Sequence, residues 1–308
     1  MNTTLIVGDG YIGSAVADAL ADRQRCDGTD GTIAATSRSS HRTRHRSAAP
    51  ADSIATRTDR SGVLGILLDV TDPRTFENLR PLLPIDRVLF SVGYRSSGKP
   101  NGPNRDDVHV VGLRRLLRWF ENHCDTPPHV VSLSTTGVYH QTGGVWVDER
   151  SPTHPHREGG RVHLRGERTL INHHPADRQT ILRLAGIYGP GRWPNRQSIA
   201  SGRSVHSDPE SFLNLIHRDD IVAAVIAAMR HRVTGLFCVA DDHPVRRRDY
   251  YNAVAQSVGL PSATFADVID PSKRRSASNK RVDNRSMKRR LLRQLSHPSS
   301  LPVITNLP

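Results

Sequence analysis

The sequence predicts an α/β fold: a parallel sheet wound with helices on both faces, followed by a smaller C-terminal α/β lobe. Three observations carry this. Short apolar runs alternate with amphipathic stretches over the first 135 residues. The first run leads straight into Gly8-Asp9-Gly10-Tyr11-Ile12-Gly13. No fixed-period repeat and no apolar stretch of about 18 residues competes with that reading. Strands separated by helical runs imply right-handed βαβ units and a sheet covered on both faces.

Taken in order, Thr4 to Val7 reads as a buried parallel strand. From Tyr11 to Ala21, Ile12, Ala15, Val16, Ala19 and Leu20 fall at helical spacing. Ile33 to Thr36 is a second strand and Gly65 to Val70 a third. Pro73 to Leu82 is a helix with proline in its first turn. Arg87 to Val92 is a fourth strand, Val108 to Phe120 a helix and His129 to Leu133 a fifth strand. The second half is less regular. It offers a strand at Ile181 to Leu184, a glycine-broken run at 185–191, a helix at Ile221 to Met229, a strand at Leu236 to Ala240 and a helix at Asp249 to Val258. The expected division is a dinucleotide-binding domain over 1–180 and a lobe over 181–308, with some late segments returning to the core.

The net charge is +13, almost all of it from arginine, since lysine occurs only at 99, 273, 280 and 288. The excess concentrates in His41 to Arg60 and Lys273 to Arg293. The first lies in a polar insertion (40–62) and reads as a solvated loop; the second, with Leu291, Leu292 and Leu295, reads as a basic amphipathic helix. Without interleaved aromatics, these point to solvated surface rather than nucleic-acid binding. Cys26, Cys124 and Cys238 form neither a CxxC pair nor a disulfide framework. They read as reduced thiols of a cytoplasmic protein, with no membrane span, no secretory leader and no metal expected.

The glycine motif has the context that gives it meaning: it follows a strand and opens a helix. Gly8 permits the tight turn, Gly10 lets backbone approach a pyrophosphate, and Gly13 lets the helix pack on the strand. Tyr11 and Ile12 contribute N–H groups at the helix start. The second strand ends in Thr36-Ser37-Arg38 where an NAD site would carry a carboxylate for the ribose 2′-hydroxyl. Arg38 suits a 2′-phosphate instead, with Ser37 adding a hydrogen bond, so NADP is the expected cofactor and NAD the alternative. Asp69 is placed to accept from the adenine amino group, with Val70 packing on the ring. The competing reading of Asp69 is a helix cap. Val92 and Gly93 close the fourth strand beside the cofactor.

The order of these motifs, with Ser134-Thr135-Thr136-Gly137-Val138-Tyr139 and Leu182 to Arg192, resembles the extended short-chain dehydrogenases/reductases. The run from Asn214 to Val222 fits the same group. Val145 to Glu149 and Lys280 to Asn284 resemble its atypical YeeZ-like subgroup, of the NAD-dependent epimerase/dehydratase kind. The resemblance implies a Rossmann-type fold over nearly the whole chain. It also implies a Ser/Thr that orients the substrate, and a YxxxK pair whose tyrosine is general acid/base. Thr135 matches the Ser/Thr. Counting back from Glu167 places the lysine at His163 and the tyrosine at Gly159, and neither matches.

Glycine offers no proton, so hydride chemistry would need a substitute, and His163 is the candidate because imidazole titrates in the useful range. Tyr139 and Tyr188 are alternatives that read more simply as packing, and Arg161, Arg165 and Arg192 are candidate anion clamps or solvated charges. Two readings follow. One is an NADP-dependent oxidoreductase or epimerase/dehydratase acting on a small polar substrate, phosphorylated or nucleotide-linked. The other is a non-catalytic NADP-binding sensor. The expected partner is a small molecule; self-association is left open.

Overall fold

A computed structural model of the chain describes residues 2–38, 55–56, 62–94, 102–266 and 278–305. The polar insertion expected over 40–62 lies outside these apart from 55–56 and 62. The described strands are, in chain order, β1 (Asn2–Val7), β2 (Gly31–Ser37), β3 (Ala55–Thr56), β4 (Val63–Leu67), β5 (Ile85–Phe90), β6 (His129–Thr135), β7 (Val145–Val147), β8 (Gln179–Leu184), β9 (Gly186–Tyr188), β10 (Phe212–Leu213), β11 (Leu215–His217), β12 (Gly235–Val239), β13 (Val245–Arg246) and β14 (Lys280–Val282).

The main sheet has the order β12-β8-β6-β5-β1-β2-β4-β3. β1 pairs in parallel with β2 and β5, β2 with β4, and β5 with β6; the two-residue β3 runs antiparallel to β4. Strand order reverses at β1, so the sheet is doubly wound, and the switch point lies between β1 and β5. The registers Val7↔Thr36, Val7↔Phe90 and Ser37↔Leu67 bring the carboxyl ends of β1, β2, β4 and β5 to one edge.

The chain forms two compact units. The first comprises Met1–Ser134, Arg161–Leu182 and Val222–Leu236; the second comprises Thr135–Gly160, Arg183–Ile221 and Phe237–Pro308. The sequence reading sets a division at residue 180. In the structure, residues 135–160 already belong to the second unit and Val222–Leu236 returns to the first.

The first unit's core joins Leu5, Val7, Ile66, Val88 and Phe90 of the sheet to Leu113, Leu116, Leu117 and Phe120. Those last four follow the i, i+3, i+4, i+7 spacing of one helical face on Gly112–His123. The second unit has its own core around Tyr188, Tyr250, Val254 and Ile304.

Several boundaries differ from expectation. The third strand stops at Leu67, because Asp69 and Val70 enter a loop in which the Asp69 carboxylate accepts from Thr71 N (2.9 Å) and Thr71 Oγ1 (2.7 Å). The fourth stops at Phe90, leaving Val92 and Gly93 beyond it. Pro73–Leu82 is a 3-10 helix capped by Asp72, which accepts from Arg74 N. Of the basic helix expected over Lys273 to Arg293, residues 273–277 lie outside the described residues; among the described ones the helix is Arg285–Arg290, and Lys280–Val282 instead pairs with β7 as a strand. No described helix is long and apolar enough to cross a membrane.

Candidate functional site

The glycine turn is built by its neighbours. Gly8 has φ +104°, and a Cβ there would lie 2.9 Å from Ser91 O and 3.0 Å from Val92 Cα, so the end of β5 presses on it. Gly8 N donates to Thr36 Oγ1 (3.1 Å), Asp9 N to Thr36 O (2.8 Å), and Ser91 Oγ to Gly8 O (2.9 Å). Gly13 opens the helix Gly13–Asp27, and a Cβ there would lie 2.0 Å from Gly8 O. The fold itself therefore demands glycine at 8 and 13.

Gly10 differs. A Cβ there meets no atom of the described residues within 4 Å, so packing does not explain the glycine. The helix behind it has Ile12 at its N-cap, without a side-chain cap bond, and no acidic residue in its first turn. A helix start of this kind carries a partial positive charge and backbone N–H donors. This cradle, open where a side chain would intrude, fits a diphosphate.

Ser37 ends β2, half-buried, and Arg38 follows it, exposed. Asp69 is held by Thr71 in the loop after β4, and the helix-cap role belongs to Asp72. Val70 is buried under Gly112, where a Cβ would lie 2.6 Å from Val70 Cγ2. Val92 is half-buried, while Gly93 is exposed with open space around it. The carboxyl edge of the sheet thus gathers the residues expected to hold the dinucleotide. Thr36 and Ser91, which the sequence reading placed at strand ends without assigning them a bond to the turn, fix it through side-chain hydroxyls.

The catalytic candidates are described by unit. In the second, Thr135 caps a 3-10 turn over Thr136–Val138, its Oγ1 accepting from Gly137 N (3.0 Å). In the first, His163 lies on the helix Glu158–His173, its ring 4.7 Å from that of His109. Burial lowers the His163 pKa, Glu167 one turn later opposes the shift, and Arg105 adds to it. The buried Glu167 accepts from Ser134 Oγ at 2.5 Å. Ser134, Glu167 and His109 are residues the motif logic did not single out; Glu167 served only as a landmark. Gly159, on the same helix one turn before His163, has open space where a side chain would project and no left-handed φ.

The alternatives resolve toward packing. Tyr139 is buried; its hydroxyl donates to Asp148 O (2.7 Å) and accepts from Arg183 Nη1 (2.6 Å), and burial raises its pKa. Tyr188 is also buried, its pKa raised by burial. Arg165 makes two bonds to Asp106, at 2.8 and 2.7 Å, and so serves structure. Burial pushes the Cys238 thiol up to about 12, which makes it a poor nucleophile.

Buried histidines give the fold a pH dependence. Burial pushes His109 and His129 down to about 4. The unfolded chain takes up these protons near pH 6.5, whereas the folded chain waits until about 4. Their stabilisation is therefore complete above pH 6.5 and is lost as the pH falls toward 4, by up to about 3 kcal/mol for each group. Urea midpoints measured across that window should fall steadily with acidification. A flat profile would contradict the neutral, buried state of both imidazoles.

Comparison with known proteins agrees with this architecture. The family model described as the NAD dependent epimerase/dehydratase family matches residues 4–237. Protein YeeZ of Escherichia coli K12 is 28% identical over 210 residues, covering 68% of this chain and 72% of its own. A conserved protein of unknown function from Silicibacter pomeroyi has a TM-score of 0.73 at 26% identity, over 99% of this chain and 97% of its own. The dTDP-glucose 4,6-dehydratase of Bacillus anthracis, solved in complex with NAD, shares the fold at a TM-score of 0.69 and 13% identity, over 94% of this chain and 90% of its own.

Proposed function

Because the chain belongs to the NAD-dependent epimerase/dehydratase family, we propose that it binds a nicotinamide dinucleotide, NADP in preference to NAD, and acts as an oxidoreductase or epimerase/dehydratase on a small polar, nucleotide-linked substrate. The observation that carries the reading is Gly10: a glycine that the fold does not need, at the mouth of an uncapped helix. The bound nicotinamide supplies the hydride acceptor or donor. The residues of the chain do the rest. Backbone N–H groups at 10–13 hold the diphosphate, with Gly8 and Gly13 shaping the turn. Ser37 and Arg38 take the 2′-phosphate. Asp69 accepts from the adenine amino group, and the backbone at Val92 and Gly93 borders the cofactor. Thr135 orients the substrate oxygen. His163, kept neutral by burial, takes the hydroxyl proton of an alcohol being oxidised.

Fluorescence titration with NADPH and NADH tests the cofactor. Arg38→Asp replaces a charge-assisted donor with a carboxylate. It is expected to weaken NADPH binding on the order of tenfold to a hundredfold and to leave NADH the tighter ligand. Unchanged NADPH affinity in that variant would remove the NADP assignment.

Gly159 and His163 at the YxxxK positions favour a second reading, a non-catalytic dinucleotide sensor. It predicts different affinities for the oxidised and reduced cofactor, and no turnover on a panel of sugar nucleotides and carbonyl compounds, because a ligand shifts an equilibrium only by differential binding.

A further inference from the structure

Within the second unit, two imidazoles on the wall of a cavity come together with a carboxylate. His217 ends β11, with its side chain buried. Asp219 stands in the first turn of the helix Arg218–Arg230 that follows at once. This strand-to-helix corner sets Asp219 Oδ2 3.7 Å from His217 Nδ1, while Arg218 Nε donates to the other carboxylate oxygen at 3.1 Å. Asp219 N also donates to His217 Nδ1 (3.2 Å), a bond that must give way when this imidazole takes up an ion. His297 arrives from a loop late in the chain. Asp220, 1% exposed, pins that loop by accepting from Ser296 N (2.7 Å) and His297 N (3.0 Å). The rings of His217 and His297 then stack with centroids 3.6 Å apart.

One nitrogen from each imidazole and one carboxylate oxygen all lie within 4.8 Å of one another. No other group of three His, Cys, Asp or Glu side chains among the described residues comes together in this way. Two further features point to a ligand. His297 Nδ1 is buried without a hydrogen-bond partner, with Asp220 Oδ2 3.5 Å away. Both imidazoles also line a cavity of about 470 Å³, whose other walls include Pro190, Trp193, Pro302 and Val303. Buried polar atoms are normally partnered, and apolar walls supply no partner.

We propose that His217, Asp219 and His297 bind a divalent transition-metal ion of zinc's class, with a coordination position open to the cavity. Two imidazole nitrogens and one carboxylate oxygen form a borderline donor set, which suits zinc or cobalt rather than calcium or magnesium. Three protein donors leave a fourth tetrahedral position for water or a small anion. The Asp220 carboxylate acts behind the donors, fixing the loop that carries His297. The site is separate from the dinucleotide reading and stands or falls without it.

The test is titration of the full chain, after chelator treatment, with Co²⁺ while recording visible d–d absorption. The expected result is saturation at one ion per chain with the intense spectrum of a four-coordinate site, reversed by Zn²⁺. His297→Ala and Asp219→Asn should each weaken binding on the order of a hundredfold, because each removes a donor rather than its support. His297→Cys keeps a donor and should retain the site, with added thiolate charge-transfer absorption; it answers the objection that His297→Ala merely unfolds the loop. His140→Ala removes one of another stacked histidine pair, His140 and His156, and should change nothing. A wild-type titration without a saturable four-coordinate spectrum would overturn the proposal, as would a His297→Ala variant that melts normally and binds Co²⁺ as tightly as wild type.

Discussion

Gly10→Ala is expected to melt like the wild-type protein and to lose at least tenfold in dinucleotide affinity, whereas Gly13→Ala is expected to lose stability first. The two glycines belong to one motif but answer to different demands. At residue 13 a Cβ would stand 2.0 Å from Gly8 O, far inside contact distance. The obstacle is backbone, held by Thr36 and Ser91, so it cannot swing aside as a side-chain tip would. Relieving the clash must separate the helix from β1, at a cost of about 3 kcal/mol by analogy with overpacked cores. At residue 10 the same methyl meets nothing among the described residues, and its backbone is not left-handed. The folded chain does not register the change, but a diphosphate resting on the turn would. Thermal unfolding and NADPH titration of both variants separate the two effects. Normal affinity in Gly10→Ala would show that the cradle serves no dinucleotide.

A second large effect is expected on the helix Glu158–His173. If His163 carries the proton, His163→Ala should lower kcat on sugar-nucleotide substrates by roughly 100-fold or more, the usual worth of a positioned acid/base. The acid limb should also be diagnostic. Burial lowers the His163 pKa, so the neutral, proton-accepting form persists below the ordinary imidazole range and activity should survive further into acid than an exposed histidine would allow. The paired change Gly159→Tyr with His163→Lys restores a phenol and an amine one helical turn apart, at a position where a side chain has room. It should recover most of the turnover lost in His163→Ala. Retention of full activity in His163→Ala would move the proton transfer elsewhere, and absence of turnover in the wild type and in the paired variant alike would favour the sensor.

How legible each feature was depends on the range of the interaction behind it. The strand–glycine–helix start at 1–20 and the amphipathic face of 113–120 could be read directly, since their determinants sit within a few residues of one another. Strand ends were less legible. Asp69 and Val70 look strand-like in sequence, yet Thr71 captures the Asp69 carboxylate and the strand ends three residues early. The basic stretch from Lys273 to Arg293 reads as a helix, but among its described residues Lys280–Val282 finds a partner in β7 and becomes a strand, a choice no local propensity reveals.

By itself, then, the sequence determined the wound α/β fold, the glycine turn between strand and helix and the absence of the YxxxK pair, because each is written in patterns and spacings along the chain. Only the tertiary structure decided which glycines packing requires and which it does not, that Ser134 locks Glu167, that His109 lies against His163, and that His217 and Asp219 meet His297. The physical reason is that burial and close approach between distant segments arise only once the chain has closed its cores, and these set both the space a glycine must leave and the partners a histidine or carboxylate acquires.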